Sequence, residues 1–327
     1  MAIHAADQNR VVMVHESGTY AVANGAGVWP GLMQSHDIDE NENVAALRYA
    51  STASRNVGRF QEGVRDYGGT FRYFLQDWRF LGFAMGSIVD GGSPTPYTHT
   101  LREVNTDYVN PFQSGNILPS FQLEDVRLFA TGQNNIRTLQ GCQVNMWNMT
   151  WRQGEPVSAE MAYVAQNIVY SSGAATAVTE DTGSVFQSQN VRIDIPSGTN
   201  FPEIKEFTFS INNNLDTDTH YLNGSRVRAA PIPGPRDYEI TMRMNAEESR
   251  TRTLWLQYFQ GGSSFNMTAF ANISTGSTDA FITWSGCRIT DMEMPTRNEG
   301  TAEATVTIKP QAMVVAVNDL IFRYAPF

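Results

Sequence analysis

One nine-residue pattern occurs twice, and it sets the frame for the rest of the chain. Gly141-Cys142-Gln143-Val144-Asn145-Met146-Trp147-Asn148-Met149 returns 145 residues later as Gly286-Cys287-Arg288-Ile289-Thr290-Asp291-Met292-Glu293-Met294. The next segment keeps the same offset. Val157, Ala159, Met161 and Tyr163 lie against Ala302, Ala304, Val306 and Ile308, with polar residues between them. Strict alternation is the signature of a half-buried β-strand. Turn residues around Gln153-Gly154 and Asn298-Glu299-Gly300 make each pair a hairpin.

A second match lies upstream. Arg65-Asp66-Tyr67 and Arg236-Asp237-Tyr238 each precede a short strand and one apolar helix. The helices are expected at about 76–85, ended near Gly86, and 247–260, ended by Gly261-Gly262. Asn245 and Glu248 have the spacing of an N-terminal capping box. Two motifs recurring in one order, each with a helix between, predict a duplicated module. At 327 residues each half is long enough to bury its own core. The expected domains are 1–170 and 190–327, joined by a Ser/Ala/Thr/Gly-rich linker at 171–189. The first half carries an extra stretch of roughly 26 residues within 89–118, and such a long loop in a compact domain points to function.

Charged residues make up only 17% of the chain, while Gly, Ser, Thr and Asn are plentiful, a mix suited to strands and turns. The formal net charge of −10 argues against a protein that clamps phosphates. No run approaches the ~18 apolar residues of a membrane span. The start of the chain lacks a basic segment followed by an apolar one, so a cytoplasmic product is expected. Cys142 and Cys287 cannot build a disulfide framework or zinc site, and both are expected to be inert core thiols.

The chemistry of a catalyst is missing. The histidines, His4, His15, His36, His99 and His220, have no metal-ligand spacing and are expected at the surface or in turns. Asp216-Thr217-Asp218-Thr219-His220 starts like a calcium loop but lacks the central Gly and closing Glu. Glu155 with Glu160, or Glu293, Glu299 and Glu303, would suit a glycosidase only if paired across a cleft; they fall on solvent-side strand positions or turns. No catalytic residue, metal site or cofactor is expected.

Several segments together resemble the tail tube proteins of long-tailed, siphovirus-like phages and archaeal tailed viruses. They are Leu118-Pro119-Ser120-Phe121-Gln122-Leu123-Glu124, Leu139-Gln140-Gly141-Cys142-Gln143-Val144-Asn145, Gln153-Gly154-Glu155-Pro156-Val157 and Ile204-Lys205-Glu206-Phe207-Thr208-Phe209-Ser210-Ile211-Asn212-Asn213-Asn214-Leu215. The resemblance implies a mainly β fold: tandem modules, each a two-sheet β-sandwich with one flanking helix. Six modules close into a ring, here supplied by three chains because the module is duplicated, and rings stack into a tube. If each module lends about four strands, a barrel of ~24 strands at ~4.8 Å spacing and ~40° tilt has a backbone diameter of ~48 Å, wide enough for duplex DNA. The implied partners are other copies of the chain, a tape measure protein in the lumen, a tail terminator, baseplate or tail-tip proteins, and double-stranded DNA passing unread. The implied location is the virion tail, assembled in the host cytoplasm without a membrane.

A conduit must not hold DNA, and carboxylates along its wall would repel phosphates. Glu160, Asp291, Glu293 and Glu303, on the polar faces of the two hairpins, are the lumen candidates. Tyr97, Leu101, Val104, Tyr108 and Phe112, in the extra stretch, carry more apolar surface than a free loop and are the candidates for contact between rings. Two alternatives stand beside this reading: another tail component such as a terminator or baseplate hub, and a carbohydrate-binding β-sandwich using Trp147 and Trp151.

Overall fold

The computed structural model describes residues 10–16, 20–23, 26–47, 59–91, 97–103, 118–128, 134–180, 183–221, 224–246, 249–272, 278–294 and 302–319. The first half contains β1 (Arg10–His15), β2 (Gly27–Val28), β3 (Leu32–Asn41), β4 (Ala45–Leu47), β5 (Arg59–Gln61), β6 (Asp66–Phe74) and helix α1 (Arg79–Met85). It continues with β7 (Gly86–Gly91), β8 (Tyr97–Glu103), β9 (Phe121–Leu128), β10 (Asn134–Arg152), β11 (Ser158–Ala165) and β12 (Asn167–Ser171). The second half contains β13 (Val191–Asp194), β14 (Ile204–Asn212), β15 (Asp237–Asn245), helix α2 (Ser249–Thr253), β16 (Phe265–Asn272), β17 (Thr278–Glu293), β18 (Glu303–Lys309) and β19 (Ala312–Asp319).

All strand pairings are antiparallel, and the largest sheet runs through both halves in the order β3-β6-β11-β10-β14-β15-β18-β17. The first four strands and the last four repeat one order: an upstream strand, the strand opened by Asp66 or Asp237, then the returning and outgoing arms of the Gly-Cys hairpin. Two flanking sheets cover this main sheet. One is β2-β1-β9-β10-β12, and the other β13-β16-β17-β19-β8-β7.

The Gly-Cys pair is the corner where a long strand changes sheets. Residues of β10 before Cys142 pair with β9 and β12, and those after it pair with β11 and β14. β17 divides in the same way around Cys287. Gly141 (φ 65°) and Gly286 (φ 60°) hold the left-handed backbone the bend needs, which a side chain would strain. Each following thiol points into the core and lies 3.6 Å from a carbonyl three residues back, Leu139 or Trp284. Burial pushes both thiols up, Cys287 to about 12, as expected of inert cysteines.

Helix α1 is buried on every side and ends at Gly86 (φ 102°), whose N–H donates to Gly82 O. It starts three residues later than the sequence suggests, because Asp77 Oδ1 accepts the N–H of Arg79 and sets the first turn. Helix α2 runs on as a π-helical segment, Leu254–Gln260. Asn245 is the last residue of β15, with its carbonyl accepting from Thr251 Oγ1. Its expected capping partner, Glu248, lies outside the described residues.

Three expectations need correction. The extra stretch is not a free loop at its start: β7 and β8 form a hairpin that extends the second half's flanking sheet, with β8 on β19. Leu101 is fully buried in this chain's own core and so is not available to a neighbouring ring. Tyr97 begins β8, while Val104, Tyr108 and Phe112 lie outside the described residues. Next, the linker is stitched to the first half. The Phe186 N–H donates to Leu75 O, its carbonyl accepts from Val157 N–H, and its ring is buried against Trp78. Finally, His36 and His99 are not surface residues, and His15, at the end of β1, is half-buried. The strand alternation turns His36 and His99 inward, and their side chains are buried.

Candidate ring-forming interface

The main sheet has one core face and one polar face. Glu160, Asp291, Glu293 and Glu303 all stand on the polar face, because each pairs across to a residue of that same line: Glu160 to Asn148 and Arg72, Asp291 to Thr307, Glu293 to Thr305, and Glu303 two residues before Thr305. The face is acidic but laced with cations. Glu160 pairs with Arg72 at 2.7 Å, and Glu303 with Lys205 at 2.8 Å and Arg243 at 3.5 Å. Glu206 bridges Arg152 at 2.8 Å and Arg243 at 3.1 Å. Pairs this exposed contribute little to stability; they spread charge along the sheet.

The two halves meet where β10 pairs with β14, from Met146 opposite Asn212 to Arg152 opposite Glu206. On the core side Trp151 stacks on Phe207 at 5.0 Å and Trp147 meets Phe209 edge-on at 6.3 Å. Trp147 Nε1 also donates to Tyr73 OH at 3.0 Å. Both tryptophans are buried, which removes the aromatic platform that the carbohydrate-binding reading requires. A turn latches the joint. Asn213, 1% exposed, donates its amide to the carbonyls of Ala84 (3.0 Å) and Val144 (2.9 Å), and its backbone N–H to Asn145 O. Leu215 N–H donates to Asn145 Oδ1, and Arg236 Nε to Asn213 Oδ1.

The same turn occurs in the first half, where Arg226 meets it in place of a neighbouring set of strands: its carbonyl accepts from Arg65 N–H, its Nε donates to Gly63 O, and its guanidinium lies 4.0 Å from Glu42. Asn43 and Asn214 both have φ 45°. Each backbone N–H donates to the Asn two residues back, and each side-chain amide donates to Asp66 or Asp237. The repeat Asn41-Glu42-Asn43…Gly63-Val64-Arg65-Asp66-Tyr67 against Asn212-Asn213-Asn214…Gly234-Pro235-Arg236-Asp237-Tyr238 carries this match. Reading the Arg-Asp-Tyr motif two residues further upstream would have found it. Glu42, where the second half has the buried Asn213, is 47% exposed and lies 3.3 Å from Arg65.

Among the described residues the main sheet therefore ends in two edges, β3 and β17. Behind β3, His36 Nε2 is 2.7 Å from Tyr163 OH and its Nδ1 4.0 Å from Asp125. Burial pulls this imidazole down from 6.5 to about 4, against the opposing charge of Asp125 and with help from Arg137. His15 falls to about 4 as well, through burial and then Arg79. Above pH 6.5 both rings are neutral whether the chain is folded or not; between 6.5 and about 4 only the unfolded chain takes up the protons. Stability should therefore fall by a few kcal/mol as pH is lowered through that window. Thermal melts of wild type and His36→Phe check this, since the variant should lose part of the slope; equal slopes would contradict the assignment.

Among the described residues no group of three or more His, Cys, Asp or Glu side chains could hold a metal ion. A duplicated antiparallel sheet with one polar face, a buried internal joint and two open edges defines a structural building block for closed β assemblies. The profile of the phage tail tube protein family matches residues 8–307, and the chain belongs to that family. It is a structural component of a virion tail, not an enzyme. Among solved structures it is similar to a chain of the virion of a native gene transfer agent particle: 13% identity over 38% of this chain and 92% of that one, TM-score 0.31. It is also similar to a chain of the anti-feeding prophage baseplate, 6-fold symmetrised: 12% identity over 55% of this chain and 96% of that one, TM-score 0.28. No curated protein matches.

Proposed function

We propose that this chain is the major tail tube subunit: three copies close a ring with pseudo-six-fold symmetry, and rings stack into the channel that carries DNA during ejection. The observation that supports it is the strand order of the main sheet. Two four-stranded sets of one order are already joined side by side, 1–170 supplying the first and 190–327 the second. Repeating the joint between chains brings three eight-stranded sheets to twenty-four strands, and closure removes the open edges that would otherwise invite aggregation. Of the candidates for contact between rings, Val104, Tyr108 and Phe112, outside the described residues, remain in this reading, with tape measure, terminator and tail-tip proteins as partners inside the tube and at its ends.

Negative-stain microscopy of the purified protein tests the role. A tube subunit polymerises into long tubes, whereas single rings would assign it to a terminator or hub, and neither product would overturn the proposal.

The polar face then lines the lumen. Glu160→Lys with Glu303→Lys reverses two charges per chain beside Arg72, Lys205 and Arg243. Each ring gains a band of cations that holds phosphates. Assembled tails should eject DNA more slowly, most clearly at low salt. Unchanged ejection kinetics would place this face elsewhere.

A further inference from the structure

We infer that the joint between neighbouring chains copies the internal joint strand for strand: β17 of one chain pairs with β3 of a second copy, with Glu293 opposite Asp39 and Asp291 opposite Asn41. The inference rests on the ring reading and specifies its register. β10 maps onto β17 by the shift from Gly141 to Gly286, and β14 onto β3 by the shift from Asp237 to Asp66. The internal pairs Asn148↔Ser210 and Met146↔Asn212 then become those two pairs between chains. Direction agrees as well, since strands alternate along the whole main sheet and β17 reaches β3 antiparallel.

The open edge differs from the joined one in a way that fits an occupant arriving from outside. In the second half, the space between the sheets behind β14 is filled by Phe207, Ile211, Ala269, Ala271, Ile282 and Val315. The matching first-half residues behind β3 are His36, Glu40, Asp125, Arg127, Arg137 and Tyr170. These six positions have changed from apolar to polar, titratable or charged, while Ile38, which matches Phe209 between them, stays apolar and packs against the core. These groups pair among themselves: Arg137 with Asp125 and with Glu40 (3.4 Å), Arg127 with Asp125 (3.3 Å), and Tyr170 OH with Glu40. Two carboxylates and two guanidinium groups balance, so the cluster can be covered without burying net charge, yet it keeps the edge hydrated while it is free. Inward-pointing charge is how natural sheets protect an edge that must not pair at random. An apolar joint serves the two halves because the chain holds them together from synthesis; a polar one serves chains that must stay soluble until they meet. Glu42 is the other departure. Lacking the amide of Asn213, it cannot donate to the carbonyl of the next chain's Ile289, the residue that matches Val144.

Cross-linking decides the register. In Asp39→Cys with Glu293→Cys, the two thiols stand on opposite edges of one chain and face each other only between chains. Cys142 and Cys287 are buried and stay out of the reaction. Mild oxidation of assembled protein should give covalent trimers on a denaturing gel. Asp39→Cys with Asp291→Cys, slipped by two residues, should not. Rings seen by microscopy that link only in the slipped variant, or in neither, would overturn the register and leave the ring reading standing. Wild-type protein that stays monomeric would defeat both. Glu42→Asn supplies the missing amide outside both strands and gives up only the exposed pairs of Glu42 with Arg65 and Arg226. It should lower the concentration at which rings form by about tenfold, since the new hydrogen bond adds on the order of 1 kcal/mol at each joint. Weaker ring formation in that variant would overturn the equivalence of the two turns.

Discussion

Replacing residues 93–114 with a short Gly/Ser turn should abolish the fold, not merely the stacking of rings. That cut removes β8, the strand between β7 and β19. Leu101 leaves a hole in the core, and losses of this kind cost about 2–5 kcal/mol for a single leucine. Glu103 goes too, and with it the acceptor for Met313 N–H (2.8 Å) and Tyr238 OH (2.6 Å). Stripping a whole strand's ladder as well exceeds the roughly 5–15 kcal/mol that stabilises a typical domain. Circular dichroism and solubility should report a chain that no longer melts cooperatively. Cutting only 105–116 leaves β8 in place, and there we expect folded single rings that do not polymerise. Soluble single rings from the longer cut would show that the hairpin is dispensable for folding.

The second large effect falls on the segment between the halves. Phe186→Ala removes a fully buried ring that meets Trp78 edge-on at 5.5 Å and sits where the chain bridges Leu75 and Val157. Truncating a core Phe costs about 3–5 kcal/mol, which lowers the melting temperature by roughly 2–4 °C per kcal/mol in a domain of 150–250 residues. A thermal or urea melt measures it. A change below about 1 kcal/mol would return this segment to the role of a simple tether.

Both effects come from contacts that local sequence pattern does not announce. Alternation in Ser158–Ala165 and Glu303–Lys309 marks each as a half-buried strand, and Gly141-Cys142 and Gly286-Cys287 mark the bends between sheets. The duplication follows from motifs that can be read by eye, whereas the strand order of each half comes from the structure. Tyr97–Glu103 also has a strand-like composition, but its partner β19 lies more than 200 residues away. Nothing within a short window distinguishes such a strand from a loop with apolar residues. Phe186 is a lone aromatic in a stretch whose composition reads as a linker, so only the tertiary structure shows that it is core.

The sheet face that carries Glu160, Asp291, Glu293 and Glu303 is legible because a period of two assigns each residue of a strand to a face. Their ion pairs are not, since Arg72, Lys205 and Arg243 come from strands whose adjacency the pattern leaves open. The histidines show the limit of the same reasoning. His36 sits among Asp37 and Asp39, in what looks like a polar strand, yet its own side chain is 2% exposed. The edge strand β3 keeps only Met33 and Ile38 against the core before its inward line ends in a charged cluster, and a search for apolar alternation passes over it.

The central claim is that one chain supplies two of six equivalent positions in a ring, and the mass of the smallest closed assembly tests it directly. Native mass spectrometry or mass photometry of rings released from tubes should give three chains of 36.3 kDa, about 109 kDa. Rings of six chains, about 218 kDa, would contradict it.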